Sequence, residues 1–158
     1  MSKAIKVSVI GAGSAQFSLG LVKDICLTEG LAGSHISFMD IDEDRLDMIH
    51  KLGTRYSRQL GASLTFDKTT DRKACLQGAD FVVNTAYVLG HIVEARMRGL
   101  ANEKYGYYHT GGQIGRYHQL RLMLEVAQDM QKICPNAWLI QSGNPVFDGC
   151  TLMTRETD

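Results

Sequence analysis

Val7-Ser8-Val9-Ile10-Gly11-Ala12-Gly13-Ser14-Ala15-Gln16 decides how the rest of the chain is read. A short, β-branched apolar run feeds into a glycine turn, and a helical pattern starts at once. That order is the strand–turn–helix opening of a dinucleotide-binding βαβ unit. The first glycine, Gly11, permits the tight turn. The second, Gly13, lets a pyrophosphate approach the backbone where the positive end of the next helix meets it. The third glycine position of the pattern holds Gln16, so the match is partial and the neighbouring segments have to complete it.

Working outward, strand and helix signals alternate. Residues 6–10 read as a buried strand. Residues 16–29 read as a helix with apolar Phe17, Leu19, Leu21, Val22 and Ile25, stopped at Gly30. A second strand is expected over 35–40. A long amphipathic helix follows over 42–60, with Leu46, Ile49, Leu52 and Tyr56 near helical spacing and Gly61 closing it. A third strand is read at 63–66, a short helix at 71–76 and a fourth strand at 80–84. Helices are read at 91–105 and 119–133, the latter stopped by Pro135, and a fifth strand at 137–141. Such alternation predicts an α/β fold, a Rossmann-type doubly wound parallel sheet with helices on both faces. The sequence contains no repeats or low-complexity tracts, and the chain reads as one domain over 1–158.

The bulk composition excludes several classes. Lysine plus arginine and aspartate plus glutamate both number 17 among 158 residues. That balance argues against nucleic acid or a membrane surface as the main partner. Cys26, Cys75, Cys134 and Cys150 are scattered, with no CxxC pair, so neither a zinc site nor a disulfide framework is indicated. They read as small hydrophobes of a reducing compartment. No signal-peptide pattern and no apolar run of membrane-spanning length occurs, which makes the cytoplasm the expected location.

Asp40 tests the nucleotide reading. It ends the run Ile36-Ser37-Phe38-Met39, where a carboxylate can accept both ribose hydroxyls of an adenosine and would repel a 2′-phosphate. That favours NAD over NADP. The competing role is a cap for the helix beginning near Asp42, which Asp42 could fill equally well. Asn84-Thr85-Ala86 follows the fourth strand and is placed either to line a cofactor crevice or to make an ordinary turn. Gly111-Gly112-Gln113-Ile114-Gly115-Arg116 is a glycine-rich connection flanked by His109 and His118, both read as structural or solvent-facing. Asn144, after the fifth strand, offers a donor and an acceptor to a polyol. The alternative makes it the N-cap of a helix with Pro145 at the first helical position.

Taken in order, these stretches resemble the N-terminal part of glycoside hydrolase family 4, the NAD- and manganese-dependent α-glucosidase/α-galactosidase/α-galacturonidase group. The resemblance rests on Ile10-Gly11-Ala12-Gly13-Ser14, Phe38-Met39-Asp40-Ile41-Asp42 and Asp80-Phe81-Val82-Val83-Asn84-Thr85. It extends through Glu103-Lys104-Tyr105-Gly106-Tyr107-Tyr108 and Ala137-Trp138-Leu139-Ile140-Gln141 into Asn144-Pro145. It implies that NAD takes a hydride from the third carbon of the sugar. The ketone acidifies the neighbouring proton, a base removes it, the aglycone is eliminated, water adds, and the hydride returns. A Mn2+ ion steadies the developing enediolate. By matching position, Gly11, Gly13, Ser14 and Asp40 would bind NAD with Asn84 beside it, and Asn144 would contact the sugar. Arg96 or Arg98 would lie near the substrate.

The same resemblance expects the manganese cysteine and its acid–base neighbour in a Cys-His-Gly-like segment after the Asn-Pro motif. Cys150 is too near Asn144 and lacks the following histidine, so no metal ligand and no catalytic base is assigned within 1–158. The expectation is a Rossmann domain whose C-terminal, substrate and metal domain is missing, inactive by itself. Its uncovered edge predicts poor solubility or dimerisation, and the full-length enzyme is expected to be a homo-oligomer acting on a small α-glycoside. Two rivals stay open: an NAD-dependent dehydrogenase of the lactate/malate type, and a non-catalytic nucleotide-binding fragment.

Overall fold

The computed structural model describes residues 4–106 and 116–157. The chain runs β1 (Lys6–Ile10), α1 (Ala15–Cys26), a single 3-10 turn (Glu29–Leu31), β2 (His35–Met39), α2 (Glu43–Gln59), β3 (Thr65–Thr69), α3 (Arg72–Leu76) and β4 (Phe81–Asn84). It continues through α4 (His91–Tyr105), α5 (Arg116–Ile133), β5 (Trp138–Gln141) and α6 (Val146–Glu156). The five strands are all parallel, in the order β3-β2-β1-β4-β5. The doubly wound fold is therefore as the alternation predicts.

Two apolar layers sandwich the sheet. Alternate residues of β1 and β2, among them Val7, Val9, Ile36 and Phe38, pack under Val22 and Ile25 of α1 and Leu46 and Ile49 of α2. The opposite face of the sheet, with Ile10, Met39 and Val82, packs under Cys75 and Leu76 of α3 and Val126 and Met130 of α5. Ile36, Phe38, Val9 and Val82 are fully buried. Each such side chain contributes about 1.5–3 kcal/mol, which is why the central strands read as continuous hydrophobic runs.

The chain winds outward from β1 to β2 to β3 with helices on one face, then from β4 to β5 with helices on the other. The direction reverses between β1 and β4, where Ile10 pairs with Asn84. A crevice opens beyond the carboxyl ends of the strands at such a reversal.

Some boundaries differ from the sequence reading. β3 runs from Thr65 to Thr69, later than the expected 63–66, because pairing with β2 aligns Thr65 with His35 and Thr69 with Met39. As an outer strand with exposed polar residues, it lacks the apolar signal that located the others. α1 ends at Cys26, and Glu29–Leu31 forms a separate turn. α5 starts at Arg116, which places His118 in its first turn. His109 and the glycine-rich run from Gly111 to Gly115 lie outside the described residues.

Candidate functional site

The turn after β1 is fixed by hydrogen bonds from four directions. Met39 carbonyl accepts from the amides of both Gly11 and Ala12 at 2.9 Å. The Thr85 hydroxyl donates to the carbonyls of Ile10 and Gly11, both at 3.1 Å. The buried Ser18 hydroxyl donates back to the Ala12 carbonyl at 2.7 Å, tying turn to helix. The Asp40 carboxylate accepts from the Gly13 amide at 2.7 Å.

Both glycines are required here. Gly11 has φ of +84°, and a Cβ on it would lie 2.5 Å from the Ala86 backbone. A Cβ on Gly13 would meet the Asp40 carboxylate at 2.7 Å. Ser14 is the N-cap of α1 with no side-chain cap bond, and the first turn carries no acidic residue. The exposed first turn of α1 therefore offers its amides and positive dipole end to an anion.

Asp40 sits between this turn and α2. One oxygen accepts from Gly13 and the other from the Asp42 amide at 3.0 Å. Asp42, not Asp40, caps α2, accepting from the Arg45 amide at 3.1 Å. Of the two roles that the sequence left to Asp40, the cap therefore falls to Asp42. Each Asp40 oxygen accepts one of these bonds and has the capacity for a second. Ile41, next to it, is 87% exposed.

Asn84 is fully buried at the end of β4. Its amide nitrogen donates to Gln141 at 3.0 Å and its oxygen accepts from the Ala86 amide at 3.3 Å. Asn144 follows β5, is exposed and has a cis bond to Pro145. It does not cap the last helix. Pro145 occupies the N-cap position of α6, and no side chain caps it. Ser142 and Gly143 donate to the Asn84 carbonyl at 3.0 and 3.1 Å, so Asn84 joins the ends of β4 and β5.

Gln119 was not singled out in the sequence, yet it holds the loop after β4. Buried on α5, it donates to the Ala86 carbonyl at 2.8 Å and accepts from the Val88 amide at 3.0 Å. The signal was present. Gln119 falls on the same helical stripe as Met123, Val126, Ala127 and Met130, and a polar residue on an apolar stripe needs buried partners. Ser18, on the stripe of Val22 and Ile25, follows the same logic.

Arg96 and Arg98 both lie on α4. Arg98 pairs with Glu94 one turn earlier, while Arg96 is exposed. Partial burial, together with the Glu94 carboxylate, pushes the Tyr87 phenol up to about 12. A neutral Tyr87 bonded to Glu94 ties the loop after β4 to α4. Among the described residues, no three of His, Cys, Asp and Glu come together to hold a metal.

The model of the family 4 glycosyl hydrolases matches residues 6–158. The alpha-glucosidase of Erwinia rhapontici is 32% identical over 159 residues, covering 96% of this chain and 35% of that protein. The alpha-galactosidase of Bacillus subtilis strain 168 is 30% identical, covering 97% of this chain and 37% of its own length. Among solved structures, a 6-phospho-alpha-glucosidase from gut microorganisms, in complex with NAD and Mn2+, superposes with a TM-score of 0.84 at 22% identity. It is covered over 98% of this chain and 36% of its own. The lactate dehydrogenase of Cryptosporidium parvum superposes with a TM-score of 0.69 at 20% identity, a likeness of fold alone. The chain spans about a third of the length of the curated relatives it matches.

Proposed function

The chain belongs to the family 4 glycosyl hydrolases, and on that footing we propose that it is the nucleotide-binding, N-terminal part of a glycosidase. The whole enzyme cleaves α-glycosidic bonds of hexosides or hexuronides by oxidation, elimination, addition and reduction. The observation that carries the nucleotide part is Asp40, tethered to the glycine turn through Gly13 and to α2 through the Asp42 amide, at the carboxyl end of β2.

In this reading Gly11 and Gly13 shape the turn, and Ser14 with the first-turn amides of α1 receives the pyrophosphate. Asp40 accepts the ribose hydroxyls, and its charge repels a 2′-phosphate, which selects NAD over NADP. Ile41 gives the adenine an apolar surface. Asn84 holds the floor beside the cofactor, joined to β5 through Gln141, and Asn144 meets the sugar hydroxyls. NAD, when bound, supplies an acceptor for the hydride of the sugar's third carbon and gives it back. The protein's share is to orient that acceptor and hold the sugar. The described residues bring together no three of His, Cys, Asp and Glu that fit a manganese ion. Its ligands belong, in this proposal, to chain beyond α6.

The enzyme is placed in the cytoplasm, in line with four cysteines that are all free, and as a homo-oligomer at full length. Calorimetry on the 158-residue protein tests the binding reading. NAD binds, and NADP binds at least about ten-fold more weakly, roughly 1.4 kcal/mol. Equal affinity for the two removes Asp40 from the ribose. Release of an aryl aglycone from α-glycosides requires the longer chain with NAD and Mn2+. Turnover by the 158-residue protein alone would overturn its assignment as an inactive part.

A further inference from the structure

The acid that caps α2 holds a second group. Asp42 Oδ1 accepts from the Arg45 amide at 3.1 Å, and Asp42 Oδ2 lies 3.2 Å from Arg45 Nε. One carboxylate thus binds both the backbone and the guanidinium of the same residue. Asp42 is itself fixed, because the cap ties it to the helix and its own amide donates to Asp40 Oδ1 at 3.0 Å.

Arg45 starts beside the glycine turn. A Cβ on Gly13 would stand 2.7 Å from Asp40 Oδ2 and 3.2 Å from the Arg45 Cβ. The two side chains therefore flank one point of the turn, and the Arg45 stem leaves from the place where Asp40 is tethered. That stem is long and flexible, and 70% of the side chain is exposed. It has the reach to serve either neighbouring carboxylate, and in this structure it is turned to Asp42.

The charge around it is lopsided. Asp40, Asp42, Glu43 and Asp44 place four carboxylates in five positions, against Arg45 alone. Glu43 and Asp44 are exposed in the first turn of α2. In a dinucleotide-binding fold, an arginine near the end of the second strand is the group that accommodates a 2′-phosphate. This chain has that arginine, but its guanidinium is committed to Asp42. An exposed ion pair is by itself worth under about 1 kcal/mol. The cap adds to its hold: a phosphate that drew Arg45 away would be left facing the charge of an immobile Asp42.

We propose that Asp42 is a specificity-determining residue. It holds the Arg45 guanidinium away from the ribose 2′ position, and so keeps the site closed to NADP even where Asp40 is lost. The inference rests on the reading of Asp40 as the ribose acceptor. It goes beyond that reading by assigning Arg45 a capacity for a 2′-phosphate that the folded chain withholds.

The test is calorimetry with NAD and NADP on the 158-residue protein and its variants, each checked by thermal melting. In Asp40→Ala, NADP affinity rises by less than about three-fold, because Arg45 stays on Asp42. Asp40→Ala combined with Asp42→Ser gains about ten-fold in NADP affinity over Asp40→Ala. Serine keeps the helix cap but is too short and uncharged to hold the guanidinium. If it loosens α2, Asp42→Asn carries the same comparison. Adding Arg45→Leu to the pair removes the gain, and Arg45→Lys in its place keeps part of it. Equal NADP affinity in Asp40→Ala and in the double variant overturns the proposal. A gain that survives Arg45→Leu also overturns it, because the loss of negative charge then explains the change. NAD binding by the parent with no response to Arg45 removes only the lock. A parent that binds neither dinucleotide removes the reading of Asp40 and the lock with it.

Discussion

The half of the sheet built on β1, β2 and β3 and the half built on β4 and β5 meet at one crevice, yet they are finished to different degrees. In the first half the turn after β1 is held by Met39, Asp40, Ser18 and Thr85, all within this chain. Its outer strand, β3, carries Asp67 and Lys68, with Lys68 paired to Asp47 of α2. In the second half the turn after β5 leaves Asn144 exposed, and the outer strand is apolar and unprotected. The difference teaches that the turn after β1 is preorganised by contacts from several elements of this chain, whereas the turn after β5 is held chiefly through Asn84 and leaves Asn144 exposed.

The largest effect should come from breaking the first half at its turn. Gly11→Val imposes a left-handed φ on a branched residue and drives Cβ into the Ala86 backbone. A loss of about 3 kcal/mol or more in stability is expected, and NAD binding should vanish, read by thermal melting and calorimetry. Gln119→Leu breaks the second half. It leaves the Ala86 carbonyl and the Val88 amide without their partner, and should cost about 2–3 kcal/mol in denaturant unfolding.

Asp40→Ala sharpens the contrast, because it removes the proposed ribose acceptor while the Asp42 cap of α2 remains. NAD affinity should fall about 10- to 100-fold, roughly 1.4–2.7 kcal/mol, with a smaller change in melting. A variant that binds NAD as tightly as the parent would detach Asp40 from the cofactor.

A weaker contribution comes from the β3 edge. Partial burial works to raise the Asp67 carboxyl, but hydrogen bonds from Ser37 and His35, with the charge of His35, hold it below its ordinary value of 3.8. A carboxyl depressed on folding stabilises the protein above its unfolded pKa, and that stability is lost as pH falls through the folded value. Asp67→Asn should therefore flatten the acid limb of a pH–stability curve below about pH 4. At neutral pH it should cost less than about 1 kcal/mol, since the pair is half-exposed. Asn144→Ala should be the smallest, within about 0.5 kcal/mol in melting and without effect on NAD affinity in the 158-residue protein. A large loss of NAD binding there would show that the two halves are coupled through β5.

Much of this was legible in the residues. β1, β2 and β4 announce themselves because strands buried on both faces are continuous apolar runs. Gly11 and Gly13 are legible because only glycine tolerates the turn and the close approach of Ala86 and Asp40. β3 was displaced by two residues at its start, since an outer strand under polar selection carries no comparable run. Gln119 and Ser18 were passed over because a polar residue on a core-facing stripe looks like an interruption until its buried partners are known.

Local chemistry sets the helices, the strands and the glycine turn, because propensity, period and backbone sterics act over a few residues. It also brings Asp40 to the turn, since one crossover leaves a short list of places for the end of β2. Tertiary packing alone separates the work of Asp40 from that of Asp42, buries Asn84 as a brace between β4 and β5, and makes Gln119 the clamp on the loop after β4. Each of these depends on groups 31 to 57 positions apart in the chain or on which of two adjacent carboxylates faces a given amide. Sequence spacing carries no information at that range, and only the folded sheet supplies the distance.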